Sequence, residues 1–424
     1  MQYKFDTNSV HAGFTPDRET GCVSASIHPA TAYVFESAQA ARDIFALQKP
    51  GNIYSRITNP TNEILEKRMA ALDGGAGALA LASGHAAISL TVFCLAGVGD
   101  EIISSSRIYG GAVNMLGISL GKLGIKTHFV DLNDLELLES RINDKTKAIF
   151  FETIGNPNAT LCDIEALSKI AKKHGIPLIA DSTFTTPALL RPVEYGADII
   201  IHSGTKYLAG HGNAMCGIVV DSGKFNFKDN PRFPDFNEPD ESYHGIVYAR
   251  DCGQTAFITK LRVQMLRDYG PCLSPFNAYM TLIGIETLSL RMKKHSENGL
   301  AAAEFLEGQR EVKAVNYPGL KSNPQYALCQ KYLPLGASSV FTIELKGGRA
   351  AGEKFIESLK LISHVANVGD TRSLVVHPAS TTHSQLTAKQ LLETGITEGT
   401  VRLSIGIEDI EDIIGDLKQA LDVL

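Results

Sequence analysis

Short apolar runs that alternate with helical stretches are the feature that most limits how this chain can fold. The runs are bounded by glycine, proline and small polar residues, and they cover residues 77–82, 101–105, 125–130, 148–152, 176–180, 197–201 and 217–220. Helical sequence fills most of the intervals, notably residues 86–95, 112–123 and 164–174. Strands that alternate with helices are typical of a mostly parallel sheet covered on both faces. We therefore predict an α/β fold with a mostly parallel, seven-stranded sheet.

The segment before these runs predicts an N-terminal arm followed by a large domain. Residues 1–58 show no sustained period, which indicates an extended arm. A helix is expected to begin near Pro60, because Asn59 can cap its first turn. We assign residues 59–275 to the large α/β domain, whose last part, from about residue 223, is an insertion rich in aromatic residues.

A smaller α+β domain is predicted for residues 276–424. A chain of 424 residues is too long for one ordinary core, so a second unit is expected. Its sequence predicts strands near residues 312–317, 340–345 and 401–405 and a closing amphipathic helix with an apolar stripe from Ile410 to Leu424.

Composition excludes several classes of protein. The net charge of −6 and the pI near 6.1 offer no basic patch for nucleic acid, and no apolar run is long enough to span a membrane. The seven cysteines are scattered without a C-x-x-C pair, which indicates reduced thiols rather than disulfides or a zinc site. The N-terminus lacks the apolar core of a signal peptide, so we expect a cytoplasmic protein. A glycine-rich stretch at 74–77 precedes its strand, unlike a dinucleotide-binding loop.

Two of the apolar runs end in residues that can carry chemistry. Asp181 directly follows one run, and Lys206 follows the next run behind the sequence His-Ser-Gly-Thr. Ligands of a parallel sheet gather where its strands end, so the two side chains should share a cleft. Such a cleft suits pyridoxal phosphate, because the lysine can form a Schiff base, the acid can hold the pyridine nitrogen protonated, and hydroxyls can bind the phosphate. On spacing alone, the alternative remains that both residues merely cap strands.

Other strand ends carry further candidates. Ser83, Gly84 and His85 follow a strand and open a helix, where backbone N–H groups can approach a phosphate. Tyr109 follows another strand and could either stack on a cofactor ring or fill the core. Asn156 follows a third strand, where its amide could bind a ring hydroxyl or simply form an Asn-Pro turn.

Together these segments resemble a known family. The matching motifs are YSRITNPT at 54–61, SGHAAI at 83–88, YGG at 109–111, ETIGNP at 152–157, ADSTF at 180–184, SGTKYLAGH at 203–211 and VRLSIGIED at 401–409. Their order and spacing are similar to those of the pyridoxal-phosphate enzymes of cysteine and methionine metabolism, over essentially the whole chain. This resemblance implies a fold-type I, aspartate-aminotransferase-like architecture with pyridoxal 5′-phosphate as cofactor, and no metal.

The resemblance also implies a role for each matching residue. Lys206 would be the Schiff-base lysine and proton shuttle, Asp181 the partner of the pyridine nitrogen, and Tyr109 the stacking and catalytic tyrosine. The remaining cofactor-binding positions would be Ser83, Gly84, His85, Asn156, Thr183, Ser203 and Thr205, with Tyr54 and Arg56 reaching the phosphate of a neighbouring subunit. The substrate-binding positions would be Arg402, Ser373, Asn156 and Tyr54. Arg402 would clamp the substrate carboxylate, although Arg372 remains an alternative.

Within the family, the chain most resembles the branch that replaces the acetate of O-acetylhomoserine with sulfide. Four segments carry this resemblance: ETIGNPN, HGNAMCGIVVDSGKFNF, the insertion around Tyr243 and the motif at 369–386. The implied reaction is therefore γ-replacement by sulfide or a small thiol such as methanethiol. Alternatives in the same fold are γ-elimination, as in methionine γ-lyase, and a cystathionine γ-synthase or γ-lyase reaction. The implied assembly is a homotetramer with shared sites. The sulfur donor, including a sulfur-carrier protein, stays open.

Overall fold

A seven-stranded sheet forms the centre of the structure, a computed structural model that describes residues 3–381, 384, 391 and 395–424. Its strands, β1 to β7 in chain order, are Gly77–Leu81, Glu101–Ser105, Lys126–Val130, Thr146–Glu152, Leu178–Asp181, Ile199–Ser203 and Gly217–Asp221. Their spatial order is β1-β7-β6-β5-β4-β2-β3. Strands β2 to β6 are parallel, whereas β7 is antiparallel to both β1 and β6. The predicted mostly parallel α/β sheet is therefore confirmed.

Both faces of this sheet are buried, which explains why its strands are continuous apolar runs. Successive side chains of a strand point to opposite faces. In β4, Ile149 and Phe151 belong to one buried cluster, and Ala148 and Phe150 belong to the other. The parallel direction of β4, β5 and β6 brings their carboxyl ends to one edge of the sheet, where the register pairs Glu152 with Asp181.

Helices surround this sheet and follow it in the chain. The helix Pro60–Asp73 begins where the sequence predicts, because the Asn59 side chain accepts hydrogen bonds from the backbone of the first turn, and it ends at Gly74, which has a φ of 75°. Within the described residues, the α-helices are Phe5–His11, Ala38–Phe45, Pro60–Asp73, Gly84–Leu95, Gly110–Asn114, Leu120–Lys122, Leu135–Arg141, Ile164–Lys173, Thr186–Leu189, Pro234–Asn237, Tyr248–Asp251, Ala256–Lys260, Arg267–Tyr269, Pro275–Glu286, Leu288–Glu307, Tyr326–Tyr332, Gly348–Ser358 and Ile410–Leu421. None of the helices in the described ranges is long and apolar enough to cross a membrane.

Shorter helical turns interrupt or join these helices. The 3₁₀ turns are Pro192–Tyr195, Gly253–Thr255 and Pro378–Ser380. The π-helical turns are Met115–Ser119 and Leu261–Leu266. The helix predicted for residues 112–123 is therefore present but divided, because the first π-helical turn separates two short α-helical pieces.

A second sheet lies in the last third of the chain. Within the described residues it has five strands, β8 to β12, which are Val312–Asn316, Val340–Leu345, Ser363–His364, Leu374–Val376 and Thr400–Ser404. Their order is β10-β11-β12-β9-β8. The three predicted strands are confirmed as β8, β9 and β12. Strands β10 and β11 were not predicted, because two or three residues are too few to show a period.

The N-terminal segment differs from the extended arm that the sequence predicts. It contains the helices Phe5–His11 and Ala38–Phe45, and the second is capped by the side chain of Ser37. Helices of seven and eight residues are too short to give a clear periodic pattern. The domain boundaries after residues 58 and 275 stay predictions. Part of the motif at 369–386 lies outside the described residues.

Candidate active site

A cavity of about 410 Å³ opens at the carboxyl ends of β4, β5 and β6. This volume lies in the range of small-molecule sites, which also favour the ends of parallel strands. The second sheet closes one side of the cavity through Arg402 of β12 and the segment before β11. The lining side chains are Ser83, Gly84, His85, Ile88, Tyr109, Glu152, Ile154, Asn156, Asp181, Thr183, Phe184, Ser203, Thr205, Lys206, Met215, Ala366, Asn367, Val368 and Arg402.

Lys206 enters this cavity from a tight turn after β6. Its backbone N–H donates to Ser203 O at 3.1 Å, which fixes the turn. Its Nζ donates to Asn367 Oδ1 at 2.5 Å. Burial, together with the nearby positive charge of Arg402, lowers the pKa of Lys206 to about 8. At pH 7 about a tenth of the amine is therefore uncharged, and the uncharged form is the one that attacks a carbonyl group.

Two carboxyl groups lie side by side at the ends of β4 and β5. Asp181 Oδ1 accepts from the Thr183 hydroxyl at 2.5 Å and from the Thr183 N–H at 3.0 Å. Glu152 accepts from the backbone N–H of Tyr109 at 2.7 Å and of Asn156 at 3.0 Å. Burial raises the pKa of both acids, and the neighbouring Asp181 charge raises the pKa of Glu152 well above its usual range. A cation in the cavity would relieve this repulsion, so the pair favours a positively charged ring nitrogen.

The start of the helix Gly84–Leu95 forms the opposite end of the cavity. The side chain of Ser83 caps this helix by accepting from Ala86 N, so the first N–H groups, at Gly84 and His85, have no intrahelical acceptor. A Cβ added at Gly84 would lie 2.8 Å from the Cβ of Ser203, so only glycine fits this approach of helix and strand. Unpaired N–H groups beside the hydroxyls of Ser203 and Thr205 are the donor set that a phosphate requires.

Tyr109 presents its ring to the cavity from the loop after β2. Tyr109 as a whole is 40% exposed, and its ring meets His85 edge to face, with 5.7 Å between ring centroids. Its backbone is held by Glu152. The residues of the cavity therefore fit pyridoxal phosphate: Lys206 can bind its aldehyde, Asp181 its ring nitrogen, and the helix start its phosphate, with Tyr109 beside the ring.

Arg402 is a buried cation without an acidic partner among the described residues. Its side chain is held by Asn156 Oδ1 at 3.1 Å and by the backbone oxygen of Asn367 at 3.2 Å. Burial lowers the pKa of Arg402 to about 10, and only 4% of the residue is exposed. A buried guanidinium group that lacks a carboxylate is costly, and a substrate carboxylate would supply the missing partner. Arg372, by contrast, is 68% exposed in its side chain and pairs with Asp370 outside the cavity.

Three of the predicted site residues do not line this cavity. Ser373 lies just before β11, where its hydroxyl donates to Glu408 and accepts from Gly406 N, and its predicted role at the substrate stays a prediction. Arg56 donates to Arg267 O at 2.7 Å and lies over the ring of Tyr54. The prediction that Tyr54 and Arg56 reach a neighbouring subunit stays a prediction.

Two lining residues with hydrogen-bonding side chains escaped the sequence analysis. Glu152 ends a strand immediately beside Asp181, and its position at a strand end was the available signal. Asn367 contacts both Lys206 and Arg402 from an irregular segment between β10 and β11. No local pattern marks Asn367, because its contacts arise only when the two sheets come together.

Comparisons with known proteins identify the family of this chain. The family model described as "Cys/Met metabolism PLP-dependent enzyme" matches residues 6–422. An O-acetyl-L-homoserine sulfhydrylase of Leptospira meyeri is 47% identical, with 99% of this chain and 97% of that protein covered. A homocysteine synthase of Schizosaccharomyces pombe is 44% identical, with 99% of this chain and 98% of that protein covered. A crystal structure from Campylobacter jejuni, described as an O-acetylhomoserine (thiol)-lyase, contains N′-pyridoxyl-lysine-5′-monophosphate. It is 41% identical, with a TM-score of 0.96 and with 99% of this chain and all of that one covered. The chain belongs to the pyridoxal-phosphate-dependent enzymes of cysteine and methionine metabolism.

Proposed function

We propose that the protein catalyses γ-replacement on O-acetyl-L-homoserine, with sulfide as the nucleophile and with homocysteine and acetate as products. In this reaction the bond between the γ-carbon and the acetate oxygen breaks, and a bond between the γ-carbon and sulfur forms. The observation that carries the proposal is that Lys206 and the unpaired Arg402 face one cavity, with Asn367 in contact with both. The full-length similarity to O-acetylhomoserine sulfhydrylases supports this choice of substrate.

Pyridoxal phosphate, when bound, supplies an electron sink that makes the α- and β-hydrogens of an amino acid removable. Lys206 anchors it covalently through Nζ. After the substrate amine has displaced Nζ, the freed lysine amine can accept the α-proton, because its lowered pKa leaves an unprotonated form available near neutral pH. Asn367 Oδ1 holds this amine in place.

The other residues bind and orient. Asp181 holds a proton on the ring nitrogen, and Thr183 fixes the orientation of that carboxylate through two hydrogen bonds. Arg402 binds the substrate carboxylate and thereby fixes the rotation of the α-carbon beside Lys206. The planar guanidinium fork suits a carboxylate better than an ammonium group would. Glu152 acts indirectly, because it holds the backbones of Tyr109 and Asn156 on the two sides of the cavity.

The experiment that tests this function measures products rather than substrate loss. The purified protein is incubated with O-acetylhomoserine, with and without sulfide, and homocysteine and 2-oxobutanoate are quantified. We expect homocysteine only when sulfide is present, with little 2-oxobutanoate. If 2-oxobutanoate and ammonia form at the same rate without sulfide, the protein is a γ-lyase and the proposal is wrong. The same assay with O-succinylhomoserine, methanethiol and cysteine tests the leaving group, a thiol donor and a cystathionine product.

We further propose a homotetramer in the cytoplasm, with Tyr54 and Arg56 completing the site of a neighbouring subunit. The family resemblance supports the tetramer, and the shared site is supported by the position of both residues outside the cavity of their own chain. The compartment is supported by the seven cysteines, all of which are free. The alternative sulfur donor is a sulfur-carrier protein in place of free sulfide. The assay above distinguishes them, since activity with sulfide alone makes a carrier unnecessary.

A further inference from the structure

A fully buried ion pair lies directly behind the candidate site. His202, in β6, is 0% exposed, and its Nε2 is 2.9 Å from Oδ2 of Asp73, which is also 0% exposed. The other ring nitrogen, Nδ1, is 3.2 Å from the backbone oxygen of Ser182. Neither residue lines the cavity, so the proposed reaction does not use them directly.

The surroundings of the ring indicate that both nitrogens carry a proton. A backbone oxygen can only accept a hydrogen bond, and an ionised carboxylate can only accept as well. A neutral imidazole has one nitrogen that must accept, so the pair of acceptors fits the doubly protonated ring. Burial lowers the pKa of His202, but the adjacent Asp73 carboxylate more than offsets this, so the pKa is raised overall.

The placement of Asp73 also indicates that the His202 ring is protonated. Asp73 is the last residue of the helix Pro60–Asp73, where the helix dipole disfavours a negative charge. Its Oδ1 atom has no hydrogen-bond partner within the described residues, so His202 is the group that neutralises it. A buried carboxylate at this helix end is therefore favourable only beside a cation, which the protonated His202 ring supplies.

The charged ring is joined to the Asp181 segment on both sides. Ser182, which receives the Nδ1 hydrogen bond, directly follows Asp181. Ser203, which directly follows His202, donates its N–H to the Thr183 hydroxyl at 2.8 Å, and that hydroxyl donates to Asp181. The imidazolium charge also lowers the pKa of Asp181, against the effect of burial.

We propose that His202 is a positioning residue: a buried imidazolium, fixed by Asp73, that keeps the Asp181 carboxylate ionised for the ring nitrogen of the cofactor. This inference rests on the proposed role of Asp181. It also explains how Asp181 can stay charged although it is buried beside Glu152, since the positive charge behind it offsets the effect of burial.

The test must account for the other titratable and charged groups that face Asp181 and His202. They are Asp73 from the helix before β1, Glu152 from β4, and His85 from the helix after β1, with Lys206 and Arg402 across the cavity. Because Lys206 also titrates near pH 8, it contributes to the pH dependence of cofactor binding in every variant. The profile of one variant therefore cannot be assigned to Asp181 by itself. The ratio between a variant and the wild type at each pH cancels this shared contribution.

The test measures the dissociation constant of pyridoxal phosphate for the full-length protein between pH 6 and pH 8. His202→Gln removes the charge but keeps an N–H donor for Asp73. Without the cation, the pKa of Asp181 rises, so Asp181 takes up a proton as the pH falls and cofactor affinity is lost at the acidic end. We expect the ratio of the variant to the wild-type dissociation constant to grow at least about tenfold from pH 8 to pH 6, which corresponds to one pKa unit.

Two further variants keep the result decisive. Asp73→Asn leaves His202 in place but removes the charge that keeps it protonated, so it should give the same pH-dependent ratio even if His202→Gln does not fold. His295→Gln is the matched control, because His295 is another fully buried histidine, in the helix Leu288–Glu307. Burial lowers its pKa to about 4, so it carries no charge between pH 6 and pH 8. Its ratio should not change with pH.

A ratio that stays constant with pH in both His202→Gln and Asp73→Asn would overturn the proposal and assign the pair a purely structural role. The proposed role of Asp181 fails separately: in that case Asp181→Asn keeps wild-type affinity and activity. If the proposal holds, Asp181→Asn instead weakens binding at every pH, by about as much as His202→Gln does at pH 6.

Discussion

At the scale of single residues, the cavity combines the Lys206 amine, whose pKa is lowered, with the Arg402 guanidinium group, which has no acidic partner among the described residues. Lys206 and Arg402 come from different sheets, yet Asn367 contacts both, through its side chain and its backbone oxygen respectively. This arrangement explains why an amino acid is the expected substrate. We expect its amine to replace Lys206 on the cofactor and its carboxylate to become the acidic partner that Arg402 lacks among the described residues.

Replacing Arg402 should weaken the binding of substrate without removing the cofactor. Arg402→Ala removes one half of a buried charge pair, which costs about 2–5 kcal/mol, or at least about 30-fold in KM. The matched control is Arg372→Ala, whose exposed side chain should leave KM within about twofold. Steady-state kinetics with O-acetylhomoserine measures both. A large loss in Arg372→Ala together with wild-type KM in Arg402→Ala would mean that the other arginine is the clamp.

The lowered pKa of Lys206 should be visible in the rate at which the apoprotein takes up pyridoxal phosphate. Only the uncharged amine reacts, so the rate should rise with pH through a midpoint near 8. In Asn367→Leu the midpoint should fall, since the lost amide oxygen stabilises the ammonium form. Stopped-flow absorbance at a series of pH values gives both midpoints. A wild-type midpoint near 10.5, the ordinary value, would show that the amine is not buried as described.

How far the sequence predicted the site depends on where each residue lies. Asp181, Asn156 and Tyr109 follow strands, and their meeting at one sheet edge is a consequence of parallel strand direction. Asn367 has no such local marker, and the contacts of the Ser373 hydroxyl with Glu408 and Gly406 have none either. Contacts made between two sheets depend on tertiary packing, which a single sequence does not show.

At the scale of secondary structure elements, the phosphate end of the cavity depends on a close approach between β7 and the start of a helix. A Cβ added at Gly217 of β7 would lie 1.9 Å from the backbone oxygen of Ser83. The turn that leads into the helix Gly84–Leu95 therefore rests directly on β7. The strands and the capped helix starts were predictable from periodicity and from Asn59, whereas this packing was not.

Gly217→Ala should therefore displace the turn and weaken cofactor binding. We expect at least a tenfold rise in the dissociation constant of pyridoxal phosphate and a loss of about 1–3 kcal/mol in the free energy of unfolding, as for overpacking in other cores. Gly415→Ala is the control, because Gly415 lies exposed in the helix Ile410–Leu421 with open space around it. It should raise stability slightly and leave affinity unchanged. Unaltered affinity in Gly217→Ala would show that this contact does not shape the phosphate site.

At the scale of the whole molecule, the site of one chain is expected to be completed by another. The N-terminal segment holds Tyr54 and Arg56 away from the cavity, although the family resemblance assigns both to the phosphate. A closed two-fold dimer would exchange these segments between identical subunits.

Mixing two inactive variants tests this exchange. Lys206→Ala and Arg56→Ala subunits should each have little activity alone. After subunit exchange, heterodimers should regain activity, because one of their two composite sites contains both intact residues. Native mass spectrometry confirms the exchange. Absence of recovery in confirmed heterodimers would place Arg56 in the site of its own chain, or outside any site.

The most direct test of the central claim, that this cavity holds pyridoxal phosphate on Lys206, is reduction of the holoenzyme with borohydride followed by peptide mass spectrometry. Reduction converts the Schiff base into a stable pyridoxyl-lysine. The account predicts a single adduct, on the peptide that contains Lys206, with loss of the visible absorption band, and no adduct in Lys206→Ala. An adduct on a different lysine, or the same adduct in Lys206→Ala, would contradict it.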